Sequence, residues 1–145
     1  MRGDDTRFLT GTDEHSVNIA ESALRLAEKP RTDVSIPEIE IMARRARKML
    51  GDSLDAFIRA DGALGRKVCL DDDVVDSLHD SVFRVLLTHM MADPKTITPS
   101  LEWLLVGRNL ERIADLATNI GEDAVYLAEG KQIKHHFEER AKDRS

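Results

Sequence analysis

The amino-acid sequence predicts an all-α protein, an antiparallel helical bundle, and three observations carry that expectation. Apolar residues recur in alternating threes and fours over long stretches, as in Val106, Leu110, Ile113, Ala117, Ile120, Ala124 and Leu127, a period near 3.5 that belongs to helices packed along a seam. These stretches are divided by short proline and glycine signals at Lys29-Pro30, Asp61-Gly62 and Asp93 to Pro99, which mark helix ends and turns. No segment alternates apolar and polar residues as a strand would.

The first helix is expected from Asp13 to Glu28, with Val17, Ala20, Leu24 and Ala27 on its inner face, because a spacing of three, four, three keeps residues on one side of a helix. Pro30 disfavours helix in the residue before it, so the helix stops there. Ser35-Ile-Pro-Glu38 has the form of a capping box, with Ser35 as N-cap. The second helix follows to about Arg59, with Ile39, Ala43, Ala46, Leu50 and Phe57 buried. Asp61-Gly62 makes the turn into a third helix, from about Ala63 to Met91, whose inner face is Val68, Val75, Leu78, Val82, Val85 and His89. In the loop Asp93 to Pro99, Thr98 suits an N-cap and Pro99 the first helical position. The fourth helix is expected to reach about Glu129, with Gly130 as its C-terminal stop. In domain terms, 1–12 reads as a flexible N-terminus, 13–134 as one helical domain and 135–145 as a charged tail.

The bulk composition narrows the function. A chain of 145 residues is long enough for one domain with its own core. Its net charge of −6 is the wrong sign for binding nucleic acid electrostatically. The single cysteine, Cys69, permits no intrachain disulfide, which fits a reducing cytoplasm. Its apolar neighbours Val68 and Leu70 make it a buried, inert thiol. The N-terminal residues contain no apolar signal core, and no apolar run approaches the roughly 20 residues that span a bilayer. A cytoplasmic protein without membrane insertion is the expectation.

The chemistry-bearing pattern is a pair of acidic stripes. Glu111, Asp115, Asn119 and Glu122 lie three or four residues apart on the fourth helix. Asp72, Asp76 and Asp80 do the same on the third, with His79 three residues from Asp76. Carboxylates four apart on a helix repel one another by a few tenths of a kcal/mol, roughly. Both stripes run beside an apolar seam, so they can meet along one edge if the two helices pack antiparallel. Oxygen ligands of this kind favour iron, manganese, magnesium or calcium, with zinc also compatible. The same residues also permit ordinary surface pairing, since Asp72 and Asp73 lie near Arg66 and Lys67, and Glu111 and Asp115 lie beside Arg108 and Arg112. Spacing alone leaves a cation site and a solvated acidic edge both open.

The remaining candidates read as structural. His135 and His136 sit in the polar tail, His15 reads as solvated, and His89 as a core histidine. Trp103, Met90 and Met91 read as packing. There is no glycine-rich phosphate loop, and no Ser-His-Asp or Cys-His arrangement is legible. A ferritin-like di-metal enzyme wants Glu-x-x-His on two helices, and only Asp76-Ser-Leu-His79 comes near.

One set of motifs resembles a known family. Asp71-Asp-Asp-Val-Val-Asp-Ser-Leu78, Phe83-Arg-Val-Leu-Leu-Thr-His-Met90, Arg108-Asn-Leu-Glu-Arg-Ile-Ala-Asp115, Ala117-Thr-Asn-Ile-Gly-Glu-Asp123 and Tyr126-Leu-Ala-Glu-Gly130 are similar to the second repeat of the PhoU family. That family has two three-helix repeats with short acidic metal motifs. The resemblance assigns 34–134 to the second repeat and 13–29 to the last helix of the first, so the first repeat's other two helices have no counterpart here. Ser16-Val-Asn-Ile-Ala-Glu-Ser-Ala-Leu24 matches that last helix. Its acidic motif departs from the family, with Thr10 in place of an acid and Glu14 in place of Asp. Leu116 replaces a histidine common in the family, whereas His15 keeps it.

The resemblance implies a non-enzymatic regulator of phosphate uptake and phosphate-starvation signalling. Its implied partners are a sensor histidine kinase and the ATPase of a phosphate ABC transporter. Its implied metal is iron, zinc, manganese or another divalent cation, at Asp72, Asp76, Glu111 and Asp115, with Asn119, Glu122, His79 and Asp80 as outlying candidates. An unpartnered apolar face on the first helix adds the expectation of a homodimer. A purely structural, metal-free partner-binding bundle and the ferritin-like enzyme are the competing readings.

Overall fold

A computed structural model describes residues 5–28, 34 and 36–142. The described residues form four α-helices: α1 (Asp5–Ala27), α2 (Pro37–Arg59), α3 (Gly62–Ala92) and α4 (Ile97–Lys142), with a 3₁₀ turn over Pro94–Thr96 before the last. The all-α bundle predicted from periodicity is what forms. Helices α2, α3 and α4 pack mutually, and α1 packs against α4 alone among the described residues. The connections α2–α3 and α3–α4 are too short to do anything but reverse the chain.

The core lies where the seams meet. Met42, Ala46 and Met49 of α2, Val68, Val75, Val82 and Leu86 of α3, and Ala114, Ala117 and Ala124 of α4 are essentially inaccessible to solvent. The inner face of α2 is rotated from the expected one. Met42, Met49, Ser53 and Ala56 are buried, whereas Phe57 is 37% exposed. Unbranched methionine fills the irregular space between three helices. Small residues let α3 and α4 approach closely. A Cβ built on Gly65 would stand 2.5 Å from the Gly121 carbonyl oxygen, and one on Gly121 would stand 3.0 Å from the Gly65 carbonyl oxygen.

The turns are held by local hydrogen bonds. At the end of α2, Ala60 adopts the left-handed region, with φ 49°, and Asp61 N–H donates to the Ala56 carbonyl at 2.8 Å, a helix-terminating geometry usually given to glycine. Asp61 then caps α3, its carboxylate accepting from Leu64 N–H at 3.0 Å. Ser35 and the Lys29-Pro30 stop lie outside the described residues. The structure places Ile36 at the α2 N-cap without a side-chain bond.

Further sequence expectations are corrected. Helix α1 starts at Asp5, not Asp13, and its contacting face is different: His15 and Ser22 are buried, Ile19 is partly so, and Val17 and Leu24 are 55% and 65% exposed. The cause is its single neighbour: α1 meets α4 through a stripe that bonds to polar side chains there. Thr98 is not an N-cap, because α4 begins at Ile97. Asp93 caps the preceding turn instead, accepting from Lys95 N–H at 3.0 Å. Thr96 Oγ1, within reach of the His89 and Asp93 carbonyls at 2.8 and 2.7 Å, closes the corner. Finally, α4 does not stop at Gly130. It runs unbroken to Lys142, because glycine costs a helix only about 1 kcal/mol and Lys131-Gln-Ile-Lys134 are adequate helix formers. At 46 residues α4 spans about 69 Å.

Candidate metal centre

The rotation of α3 and α4 is fixed by their apolar seams. With Val68, Val75 and Val82 turned inward, the i, i+4 pair Asp72 and Asp76 comes to the edge of α3 that borders α4. With Ala114 and Ala117 inward, Asp115 comes to the facing edge of α4. Asp72, Asp76 and Asp115 each offer a carboxylate oxygen, and these oxygens lie within 4.8 Å of one another. Asp72 is half-buried, and Asp76 and Asp115 are exposed.

The electrostatics of this rung are unfavourable without a cation. The Asp72 carboxyl is pushed from 3.8 up to about 6, first by burial, then by Asp76, Asp115, Asp73 and Glu111. Asp115 is raised too, by burial first and then by Asp76, with the Arg112 guanidinium opposing. Asp72 Oδ1 is buried and has no hydrogen-bond partner. A buried acceptor left unpaired costs roughly 1–3 kcal/mol, and a bound cation would supply what it lacks. The donor set therefore fits the oxygen-preferring cations named from the sequence.

The other predicted acidic residues and His79 fall outside this three-carboxylate group. Glu111, one turn before Asp115, is paired with His79 across the interface, Nδ1 to Oε2 at 3.2 Å. Asp80 and Glu122 are exposed and outside the three-carboxylate group. Asn119, one turn past Asp115, is exposed. Cys69 is only partly buried, near the Thr118 carbonyl at 3.8 Å. Its thiol is raised by burial and then by Glu122 and Asp72, which keeps it protonated and unreactive at neutral pH. Met91 is 79% exposed rather than packed.

A second polar cluster escaped the sequence reading. His15, expected to be solvated, is only 9% exposed and lies with Nδ1 3.1 Å from Asn109 Oδ1. Asn18 Nδ2 donates to the same oxygen at 3.3 Å, and Asn109 Nδ2 donates to the Leu105 carbonyl at 2.8 Å. Two turns along α1, Arg25 Nε donates to both carboxylate oxygens of Glu102 at 3.0 Å. These contacts fasten α1 to α4. The signal was present in the spacing of His15, Asn18, Ser22 and Arg25, threes and fours on one side of α1, but it was polar and so invisible to a search for apolar faces.

The PhoU domain family model matches residues 39–124, which contain the whole rung. The chain belongs to the PhoU family. Similar PhoU relatives are named "Phosphate-specific transport system accessory protein PhoU homolog". The one from Clostridium acetobutylicum is 37% identical over 120 residues, covering 83% of this chain and 54% of its own. The one from Aquifex aeolicus is 38% identical over 128 residues, covering 88% and 58%. The crystal structure of PhoU from Pseudomonas aeruginosa superposes with a TM-score of 0.77 at 34% identity, covering 81% of this chain and 56% of that one. The chain thus spans about half the length of the curated PhoU relatives it matches.

Proposed function

We propose that this chain acts as a PhoU-type accessory regulator of phosphate uptake and phosphate-starvation signalling. It works through protein partners, with a cation held between α3 and α4. The partners are the ATPase of a phosphate ABC transporter and a sensor histidine kinase. Membership of the PhoU family supports the regulatory role, as do the names of its relatives, accessory proteins of phosphate-specific transport. No helix among the described residues is long and apolar enough to cross a membrane, in keeping with action from the cytoplasm. The role is regulatory and not enzymatic: the ferritin-like alternative wants two Glu-x-x-His helices, and the rung is built of aspartates from one i, i+4 pair and one facing residue.

The observation that carries the cation reading is the buried, unpartnered Asp72 Oδ1 in a cluster of three like charges. Asp72, Asp76 and Asp115 would hold the ion, with Glu111 beside them. Iron, manganese or zinc bound there would neutralise the rung and tie α3 to α4. The test is metal content by plasma mass spectrometry on untagged protein beside the Asp72→Asn/Glu111→Gln variant. A metal present in the parent and absent from the variant supports the site, and no metal in either removes it. For the regulatory half, expression in a bacterium lacking its own PhoU-type regulator should restore repression of a phosphate-starvation reporter.

The exposure of Asp76 and Asp115 favours a second reading, a metal-free bundle with a solvated acidic edge that acts through partners alone. Helix content and stability unchanged by chelator would select it. Self-association belongs to either reading, because Val17 and Leu24 are exposed on the face of α1 turned from α4. Sedimentation over a concentration range tests it, and a strict monomer would count against it.

A further inference from the structure

We propose that His79 is the positioning residue that holds Glu111 beside the Asp72, Asp76 and Asp115 rung, giving the site a fourth carboxylate. The inference rests on the cation reading above and assigns a role to a residue that the carboxylate pattern alone does not explain. His79 Nδ1 lies 3.2 Å from Glu111 Oε2, from α3 to α4. An ionised carboxylate only accepts, so Nδ1 carries the proton in this contact. The ring is itself placed by packing. Gly107 is buried on α4, and a Cβ built there would stand 3.5 Å from His79 Cδ2, so the imidazole lies against the α4 backbone.

Glu111 has a reason to leave. It sits one turn from Asp115, and it is among the charges that raise Asp72. Repulsion from Asp72 and the freedom of three side-chain torsions both favour its swinging into solvent. The His79 N–H opposes that. It engages Oε2 and leaves Oε1 available as a donor on a side chain one helical turn from Asp115. Outer partners that orient carboxylate or imidazole ligands commonly change metal affinity by 10–100-fold, and a fourth oxygen donor suits a hard cation such as manganese(II).

The experiment titrates manganese(II) into the full chain, reading affinity by electron paramagnetic resonance of the free ion and inner-sphere water by proton relaxivity. The variants are His79→Ala, His79→Gln, Glu111→Gln, the His79→Ala/Glu111→Gln double and Asp72→Asn, each checked by circular dichroism. The inference expects His79→Ala and Glu111→Gln each to weaken binding by about 10-fold and to raise relaxivity as water takes the vacated position. The double variant should be no weaker than either single one, and His79→Gln, whose amide keeps a donor, should bind close to the parent. Binding and relaxivity of His79→Ala equal to the parent, with Asp72→Asn abolishing both, would overturn the inference and leave the cation reading standing. Additive losses in the double variant would also overturn it, since His79 would then act independently of Glu111. A parent that binds no manganese(II) removes the cation reading and this inference together.

Discussion

Replacing Asp72 by Asn should stabilise the metal-free protein at neutral pH and make little difference in acid. Asp72 titrates near 6 in the folded chain instead of at 3.8, so between these values the folded state binds more protons than the unfolded one. Its contribution to stability is therefore fully present below about pH 3.8 and is lost as pH rises through about 6. At 1.36 kcal/mol per pH unit the interval corresponds to an upper figure of about 3 kcal/mol. The side chain is only partly withdrawn from water, and screening reduces this to about 1 kcal/mol. Asn and Asp have similar helix propensities, so little else changes. Urea unfolding in chelator at pH 4, 5 and 7.5 measures the effect. The parent should lose about 1 kcal/mol relative to Asp72→Asn between pH 4 and 7.5. A parent as stable as the variant at pH 7.5, or a difference that does not change with pH, would refute the reasoning that like charge and burial strain this rung. Saturating manganese(II) should reverse the order, stabilising the parent and leaving the variant unmoved.

Further expectations concern the frame that holds the rung. Gly65→Ala should destabilise by about 1–3 kcal/mol in urea unfolding, because its Cβ would meet the Gly121 carbonyl and not a yielding side chain. Ala60→Gly should stabilise by about 0.5–1 kcal/mol, since relief of a left-handed Cβ clash of roughly 1–2 kcal/mol outweighs the added chain entropy of roughly 0.5–1 kcal/mol. Arg25→Ala should cost up to about 1 kcal/mol by removing the fork on Glu102. Hydrogen exchange should then quicken in α1 with α2 and α3 unaffected, because among the described residues α1 touches α4 alone.

Helix number and order, and the inner faces of α3 and α4, were legible because they follow from periodicity, which is local. Val68, Val75 and Val82 of α3 are buried as their sevenfold spacing implied. What the sequence hid was set by neighbours. The face of α1 was read from Val17 and Leu24, which its packing on a polar strip of α4 leaves outside. Gly130 carried a stop signal too weak to end a long helix. At the acidic edge, the stripes could be drawn on each helix separately. The register between helices could not, and it alone decides that Asp115 faces Asp72 and Asp76 while Glu111 faces His79. Asn109, which receives His15 and Asn18, had no periodic partner to betray it.

The contact of Gly65 with Gly121 sets a ruler on the bundle. Asp72 lies seven residues along α3 from the first glycine, and Asp115 lies six residues back along α4 from the second, which is about 10 Å in either case. Where two backbones touch, one helix cannot slide past the other by even part of a turn without driving a carbonyl into a Cα. The aspartates are thus indexed from a fixed mark, and their spacing is decided before any ion arrives. A cation entering such a place does not have to draw the helices together, so its binding energy is not consumed in closing the bundle. The mutual repulsion that the rung stores is then available to hold the ion.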